Sequence, residues 1–283
     1  MRTLLIDGDI LVYRWAFGAE HAIDWGDGVW TLHADATEAC AMLDDNVARL
    51  MDMLEAKSVV VALTGRKNFR KQLWPGYKAN RAKQRKPLCM PAIRDHVCAR
   101  YTTLLADTIE ADDALGIAAT KPGDPLGRVI VSEDKDLLQI PGWHYRPSDP
   151  SRGVFAVTAE EGRKLHLVQT ISGDPTDNYP GCPGWGPARA RKLIDAEPTW
   201  ATVGKTYEGA GLTAHYSLVQ AQIATILTSD LVDRHTRIPL LCTPPDSPLS
   251  PPHRRRPGRA RPRRTTRQPR APCHFISITC TTS

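Results

Sequence analysis

Three short runs rich in branched apolar residues constrain this chain more than any other feature: Thr3–Ile6, Ser58–Leu63 and Arg128–Ser132. Each is too short for a stable helix and reads as a buried strand. Stretches with helical spacing stand between and after them. Cys40, Leu43, Val47, Leu50, Met51 and Leu54 share one helix face, and Asp35 with Glu38 three residues on marks that helix's start as a capping box. Pro91–Leu105, an Ala-rich segment opened by Glu110-Ala-Asp-Asp113, Glu160–Ser172 and Leu212–Leu227 read as further helices. Pro187 suits the first position of another. Strands alternating with helices predict an α/β fold, with a mainly parallel central sheet flanked by helices. Functional groups of such sheets gather beyond the carboxyl ends of the strands.

The acids follow that rule. Asp7 ends the first run, Asp134 and Asp136 follow the third, and Glu110, Asp112 and Asp113 open a helix. Asp174 and Asp177 lie in the turn Gly173-Asp-Pro-Thr-Asp177. Taken singly, each has an ordinary reading as a cap, a loop acid or a turn former. Together on one sheet edge they would repel one another unless cations were bound, and all-oxygen donors suit hard divalent ions, Mg²⁺ above all. Two such ions roughly 3.5–4 Å apart can hold the attacking and leaving oxygens of a phosphodiester.

Charge is unevenly placed along the 283 residues, a length that fits one full domain and a smaller companion. Nine arginines and one acid, Asp246, follow Cys242, so this tail carries more than the whole formal charge of +6 and the rest is slightly acidic. Binding to nucleic acid would therefore use a local basic face. Arg66–Arg85 supplies one: it holds eight Lys and Arg with Phe69, Trp74 and Tyr77, and no acid. Residues 242–283 are rich in Pro and Arg without apolar periodicity, which predicts a disordered tail. The seven cysteines form no Cys-x-x-Cys pair, arguing against a zinc site or disulfide frame. No apolar run is long enough to span a bilayer, and no leader pattern precedes the first strand. A soluble cytoplasmic protein with no membrane partner is the expectation.

The motifs resemble those of the structure-specific 5′ nucleases: flap endonucleases, the 5′-nuclease domains of bacterial DNA polymerases and, most of all, the 5′→3′ exonucleases of T-odd bacteriophages. Leu4–Asp9 with Tyr13-Arg14 is similar to the family's first metal motif, Glu110–Asp113 to the second and Ser132–Asp136 to the third. Gly173–Asn178 with Pro180–Gly186 resembles the fourth, and Asn68–Lys71, Tyr77–Arg81 and Lys86-Pro87 resemble the base of a helical arch. The resemblance covers residues 3–240 approximately. It implies a PIN-like catalytic domain over 1–172 with an arch at about 64–95, then a helix–three-turn–helix DNA-binding subdomain over 173–241. One metal would be served by Asp7, Glu110, Asp112, Asp113 and Asp134. A second would take Asp136, Asp174 and Asp177, with Asp134 near both. The implied cofactors are two Mg²⁺, with Mn²⁺ able to substitute, and a monovalent cation at the Gly181–Gly186 hairpin.

Catalytic groups from the arch would be Arg70, Tyr77, Lys78 and Arg81. Lys78 and Arg81 lie one turn apart and so can meet one phosphate, while Tyr77 would stack on a terminal base. DNA contacts are expected from Arg14, Gly181, Gly184, Gly186, Arg189 and Lys192, the glycines letting backbone N–H groups approach a phosphate at a helix start. The implied activity is metal-dependent 5′→3′ exonuclease or flap endonuclease action by a monomer on duplex DNA with a 5′ end, nick or flap, or on an RNA–DNA hybrid. Phage DNA replication, recombination or host DNA degradation is the implied setting. The pattern breaks at Thr64-Gly65, where the family carries an acid. The alternative reading is therefore a catalytically weakened module that grips branched or 5′-ended DNA.

Overall fold

The computed structural model describes residues 2–123 and 127–233, so the expected tail at 242–283 lies outside the described residues. The chain opens with β1 (Arg2–Asp7), α1 (Gly8–Gly18) and a hairpin of β2 (Glu20–Asp24) and β3 (Trp30–Ala34). Then come α2 (Ala36–Met53), β4 (Ala56–Thr64), a single turn α3 (Arg70–Leu73), α4 (Met90–Arg100) and β5 (Thr102–Ala106). The sheet is completed around α5 (Ala111–Thr120) by β6 (Arg128–Val131), β7 (Gly142–Tyr145) and β8 (Phe155–Val157). Four helices follow: α6 (Ala159–Ser172), α7 (Pro187–Ala196), α8 (Trp200–Gly209) and α9 (Ala214–Ala224).

The six strands lie in the order β5-β4-β1-β6-β7-β8, parallel except for β8. Strand pleat explains why they read as near-continuous apolar runs. Leu4, Ile6, Val61, Leu63, Val129 and Val131 pack on one face with α1, α2 and α4. Leu5, Ala62 and Ile130 point the other way, onto α5 and the chain at Ile226-Leu227. Both faces are covered, as parallel sheets require. A third core joins α6 to α7 and α8 through Ile171, Ile194, Val203 and Tyr207, whose hydroxyl donates to the Thr170 carbonyl at 2.5 Å.

Three local expectations are corrected. The helix expected over Pro91–Leu105 stops at Arg100, and Thr102–Ala106 becomes an edge strand paired with Val60–Thr64. Its β-branched threonines and the extended Tyr101 favour strand. The last helix ends at Ala224, where Thr225 turns extended and Ile226-Leu227 pack against α5. The expected arch holds no long helix: α3 is four residues and a 3-10 turn spans Ala79–Lys83, with Pro75, Gly76 and Pro87 interrupting any longer one. Asp35 does cap α2, accepting from the Thr37 and Glu38 N–H groups at 2.7 and 3.1 Å.

Candidate active site

Parallel strands deliver their carboxyl ends to one edge, and a cleft of about 1370 Å³ opens there. Asp7, Asp9, Thr64, Glu110, Asp112, Asp134, Asp136 and Asp177 line its floor. Ser132, immediately after β6, donates to Asp7 Oδ2 at 3.0 Å and accepts the Asp134 N–H at 3.0 Å, fixing two strand ends together. Asp134 Oδ1 accepts the Asp136 N–H at 2.8 Å, and Gln169 of α6 donates to Asp136 Oδ1 at 2.6 Å.

Two sets of carboxylates face one another, with Lys78 near Asp112 and Lys135 near Asp136 and Asp174 offsetting only part of their repulsion. Burial, reinforced by Asp9 and Asp134, raises Asp7 to about 6 against the Ile10 N–H and Ser132 hydroxyl. Burial and then Asp7, Asp134 and Glu110 hold Asp112 well above the usual carboxylate range. On the other side, burial followed by Asp134 and Asp174 lifts Asp136 to about 7. Asp134 is thus the acid common to both sets.

Glu110 behaves oppositely. Burial would raise it, but Arg70, Lys78 and the Tyr77 hydroxyl bring it down to about 2. The basic segment is folded onto the acids. Lys78, in left-handed backbone at φ +54°, bonds Glu110 and stands 3.5 Å from Asp177, and Arg81 pairs with Asp177 at 2.5 Å. The turn 174–178 grips this segment in return: Lys78 N–H donates to the Asp177 carbonyl at 2.8 Å, and Asn80 to those of Pro175 and Thr176.

Several expected roles are therefore revised. Arg70 cannot reach a substrate: its guanidinium is buried and committed to Asp113, Glu110 and the carbonyls of Ile223 and Thr225. Asp113 is fully buried, and its oxygens accept from Arg70 and from the Glu110 and Leu227 N–H groups, which removes it from the metal-facing acids. Breaking one side of such a pair costs about 3–5 kcal/mol. Tyr77 cannot stack on a base, being 3% exposed with its hydroxyl donating to Glu110 at 2.6 Å and Asp177 at 3.0 Å. Gly181, at φ +64°, packs its backbone on Gly173 and gives its N–H to Gln220 at 3.0 Å, so that donor is unavailable to a phosphate.

Other expected contacts stay open to solvent. Arg14 on α1 lines the cleft with Arg66, Lys67, Lys71 and Lys86, and none of the five forms an ion pair among the described residues. Gly184, Gly186, Arg189 and Lys192 are exposed around the start of α7, where Arg189 lies 4.0 Å over the Trp185 ring. Sequence reasoning left Asp9 out of the ligand set, although this acid lines the cleft, accepts the Thr64 N–H and pairs with Arg94 at 3.3 Å. It also missed Gln169, whose partner Asp136 lies in another element and leaves no local signal.

Among the described residues no three His, Cys, Asp or Glu side chains are gathered tightly enough to hold a metal as they stand. The donor chemistry nonetheless fits a hard cation. Asp7, Asp112, Asp134 and Asp136 are oxygen donors that repel one another, and a divalent ion would relieve that repulsion.

A family model described as "5'-3' exonuclease, N-terminal resolvase-like domain" matches residues 2–154. Over 191 residues the chain is 33% identical to the exodeoxyribonuclease of Enterobacteria phage T3 and to the exonuclease of Escherichia phage T7, matching 65% of this chain and 63% of each relative. It is 28% identical over 183 residues to flap endonuclease Xni of Shewanella oneidensis, matching 61% of this chain and 70% of that protein. The fold is shared with T5 5'-exonuclease with bound zinc, at TM-score 0.54 and 15% identity over 79% of this chain and 93% of that one. A T5 protein co-crystallized with metal ions gives TM-score 0.60 at 14% identity, over 79% and 89%. With its acids at the carboxyl edge of a mainly parallel sheet, the chain belongs to the 5'-3' exonuclease family, whose N-terminal resolvase-like domain it carries at residues 2–154.

Proposed function

We infer that this chain is a metal-dependent 5′ nuclease that hydrolyses DNA phosphodiesters. One observation carries the reading: Asp7, Asp112, Asp134 and Asp136, none of them in an ion pair among the described residues, lie at the floor of a cleft walled by Arg14, Arg66, Lys67, Lys71 and Lys86. Cations on the walls would draw in a polyanion, and the acids on the floor would supply a site for metals that activate the water attacking it. Asp7, Glu110, Asp112 and Asp134 would hold one Mg²⁺, and Asp134, Asp136, Asp174 and Asp177 the other, with Mn²⁺ able to replace both. When bound, the metals supply a nucleophilic hydroxide and stabilise the leaving oxygen. Lys78 and Arg81 would then exchange their carboxylate partners for the attacked phosphate, stabilising its growing charge. Exposed Gly184, Gly186, Arg189 and Lys192 would hold the duplex beyond the cut, in a C-terminal DNA-binding subdomain. Relatives named exonuclease and flap endonuclease, and solved relatives bound to metals, support the same chemistry. The implied substrates are 5′ ends, nicks and flaps, cut in the cytoplasm by a monomer.

A second reading is a DNA-gripping module with weakened cleavage. It is favoured by the commitment of Glu110 and Asp177 to Lys78 and Arg81, and by Thr64-Gly65 where an acid is expected. Incubation with 5′-labelled duplex and flap substrates decides between them. Cleavage that requires Mg²⁺ or Mn²⁺ and stops in EDTA is expected. Metal-supported DNA binding without cleavage would select the second reading, and full cleavage in excess EDTA would remove the metal mechanism.

A further inference from the structure

We propose that Arg70 and Asp113 form a buried brace that positions Glu110 for metal binding and ties the end of α9 to the site, neither residue touching metal or substrate. The proposal rests on the metal reading above.

The geometry is closed on every side. Asp113 Oδ2 accepts from Arg70 at 2.6 Å and from the Glu110 N–H at 3.1 Å, while Oδ1 accepts from Arg70 at 2.7 Å and from the Leu227 N–H at 3.1 Å. No oxygen of this carboxylate faces the cleft, whose lining includes Glu110 and Asp112 but not Asp113. Arg70 spends its remaining donors on the Ile223 carbonyl at 2.9 Å, the Thr225 carbonyl at 2.5 Å and Glu110 Oε2 at 3.3 Å. Glu110 is thus held twice: Asp113 fixes its backbone and Arg70 its carboxylate. Three elements distant in sequence meet here: α3, the start of α5, and the chain leaving α9. A planar guanidinium that satisfies two carboxylates and two carbonyls at once sets orientation in a way an ammonium cannot. Residues that orient a metal ligand without contacting the metal govern affinity strongly.

The brace is tested by Mn²⁺ titration of the metal-free full chain, followed by electron paramagnetic resonance and calorimetry. Asp113→Asn and Arg70→Lys are each expected to weaken binding by about 10–100-fold. The double variant should be no weaker than either single one. Combining Asp113→Asn with Glu110→Gln should add nothing to Glu110→Gln alone, because the brace acts through Glu110. If Asp113→Asn weakens binding by its full factor in the Glu110→Gln background, Asp113 is a direct ligand and the proposal is overturned. Unchanged affinity in both brace variants, with Glu110→Gln weakened, also overturns it. A parent chain that binds no Mn²⁺ removes the metal reading, and the brace's purpose with it. Should Asp113→Asn fail to fold, Arg70→Lys in the Glu110 and Glu110→Gln backgrounds gives the same comparison, since it preserves the buried charge.

Discussion

At the end of β4 the Thr64 hydroxyl accepts the Ala111 N–H at 2.9 Å and so anchors the start of α5 beside the acids. Its neighbour Gly65 is pressed against the next strand: a Cβ there would fall 2.0 Å from the Ala106 carbonyl oxygen. An acid restored to this edge therefore belongs at 64. Thr64→Asp keeps an acceptor for Ala111 and adds a carboxylate to the cleft, so the Mn²⁺ concentration for half-saturation should fall several-fold. Gly65→Asp should instead lower the melting temperature, since forced overpacking costs about 1–3 kcal/mol or more. A metal titration and a melting curve of each variant check both outcomes. A second residue sets a pH dependence. Burial depresses His144 below its ordinary 6.5, with the Ile140 carbonyl opposing and Arg152 assisting. The unfolded imidazole takes up a proton below that value while the folded one does not, so stability falls as pH drops through 6.5. Urea unfolding at about pH 7.5 and 5.5 should show a loss in the parent, at most about 1.4 kcal/mol per pH unit from this group, that shrinks in His144→Gln. Equal losses would show that His144 titrates normally. The candidate acids were legible because strand ends and turns announce themselves locally. Which acids are free and which are spent on Arg70, Lys78 or Arg81 was not, since those pairings span 32 to 96 residues.

Among the elements, legibility followed burial. Helix α2 and strands β1, β4 and β6 bury a periodic pattern and were readable. Helix α1 was not, because Ile10, Tyr13 and Phe17 stay exposed opposite buried Leu11, Val12 and Ala16, which blurs its polar face. The β2–β3 hairpin buries almost nothing and so lacks strand alternation; its signal was the Gly26-Asp-Gly28 turn, all three residues at positive φ. This hairpin has a tethering role. Glu20, at its base, accepts from both terminal nitrogens of Arg85 at 2.6 and 2.7 Å and from the Leu88 N–H at 2.8 Å. It thereby pins the basic segment across the mouth of the cleft. Glu20→Ala should speed amide exchange at Leu88 and proteolysis within 84–89, while core amides of β1 and β4 keep their protection. Unchanged exchange at Leu88 would show that other contacts hold the segment.

For the whole molecule, charge is divided between a slightly acidic described body and an Arg-rich C-terminal stretch. The two should contribute separably to DNA affinity. On the proposed function, contacts from the cleft walls and the start of α7 would be few and would set where the duplex sits. The nine arginines beyond Cys242 would add further phosphate contacts. Each phosphate neutralised steepens the fall of log affinity with log salt by about 0.9 on B-form DNA. Deleting residues 243–283 should flatten that slope by several units and weaken binding most at low salt. It should leave the melting temperature unchanged, because the four cores of the described residues are built from positions up to Val232. Cleavage at saturating DNA should also persist, since every acid on the floor of the cleft lies before residue 178. Fluorescence anisotropy on a labelled duplex from about 50 to 300 mM salt, beside melting curves of both chains, measures these effects. Parallel salt plots would show that the arginines do not touch DNA, and a lowered melting temperature would mean that the deleted segment packs on the body after all.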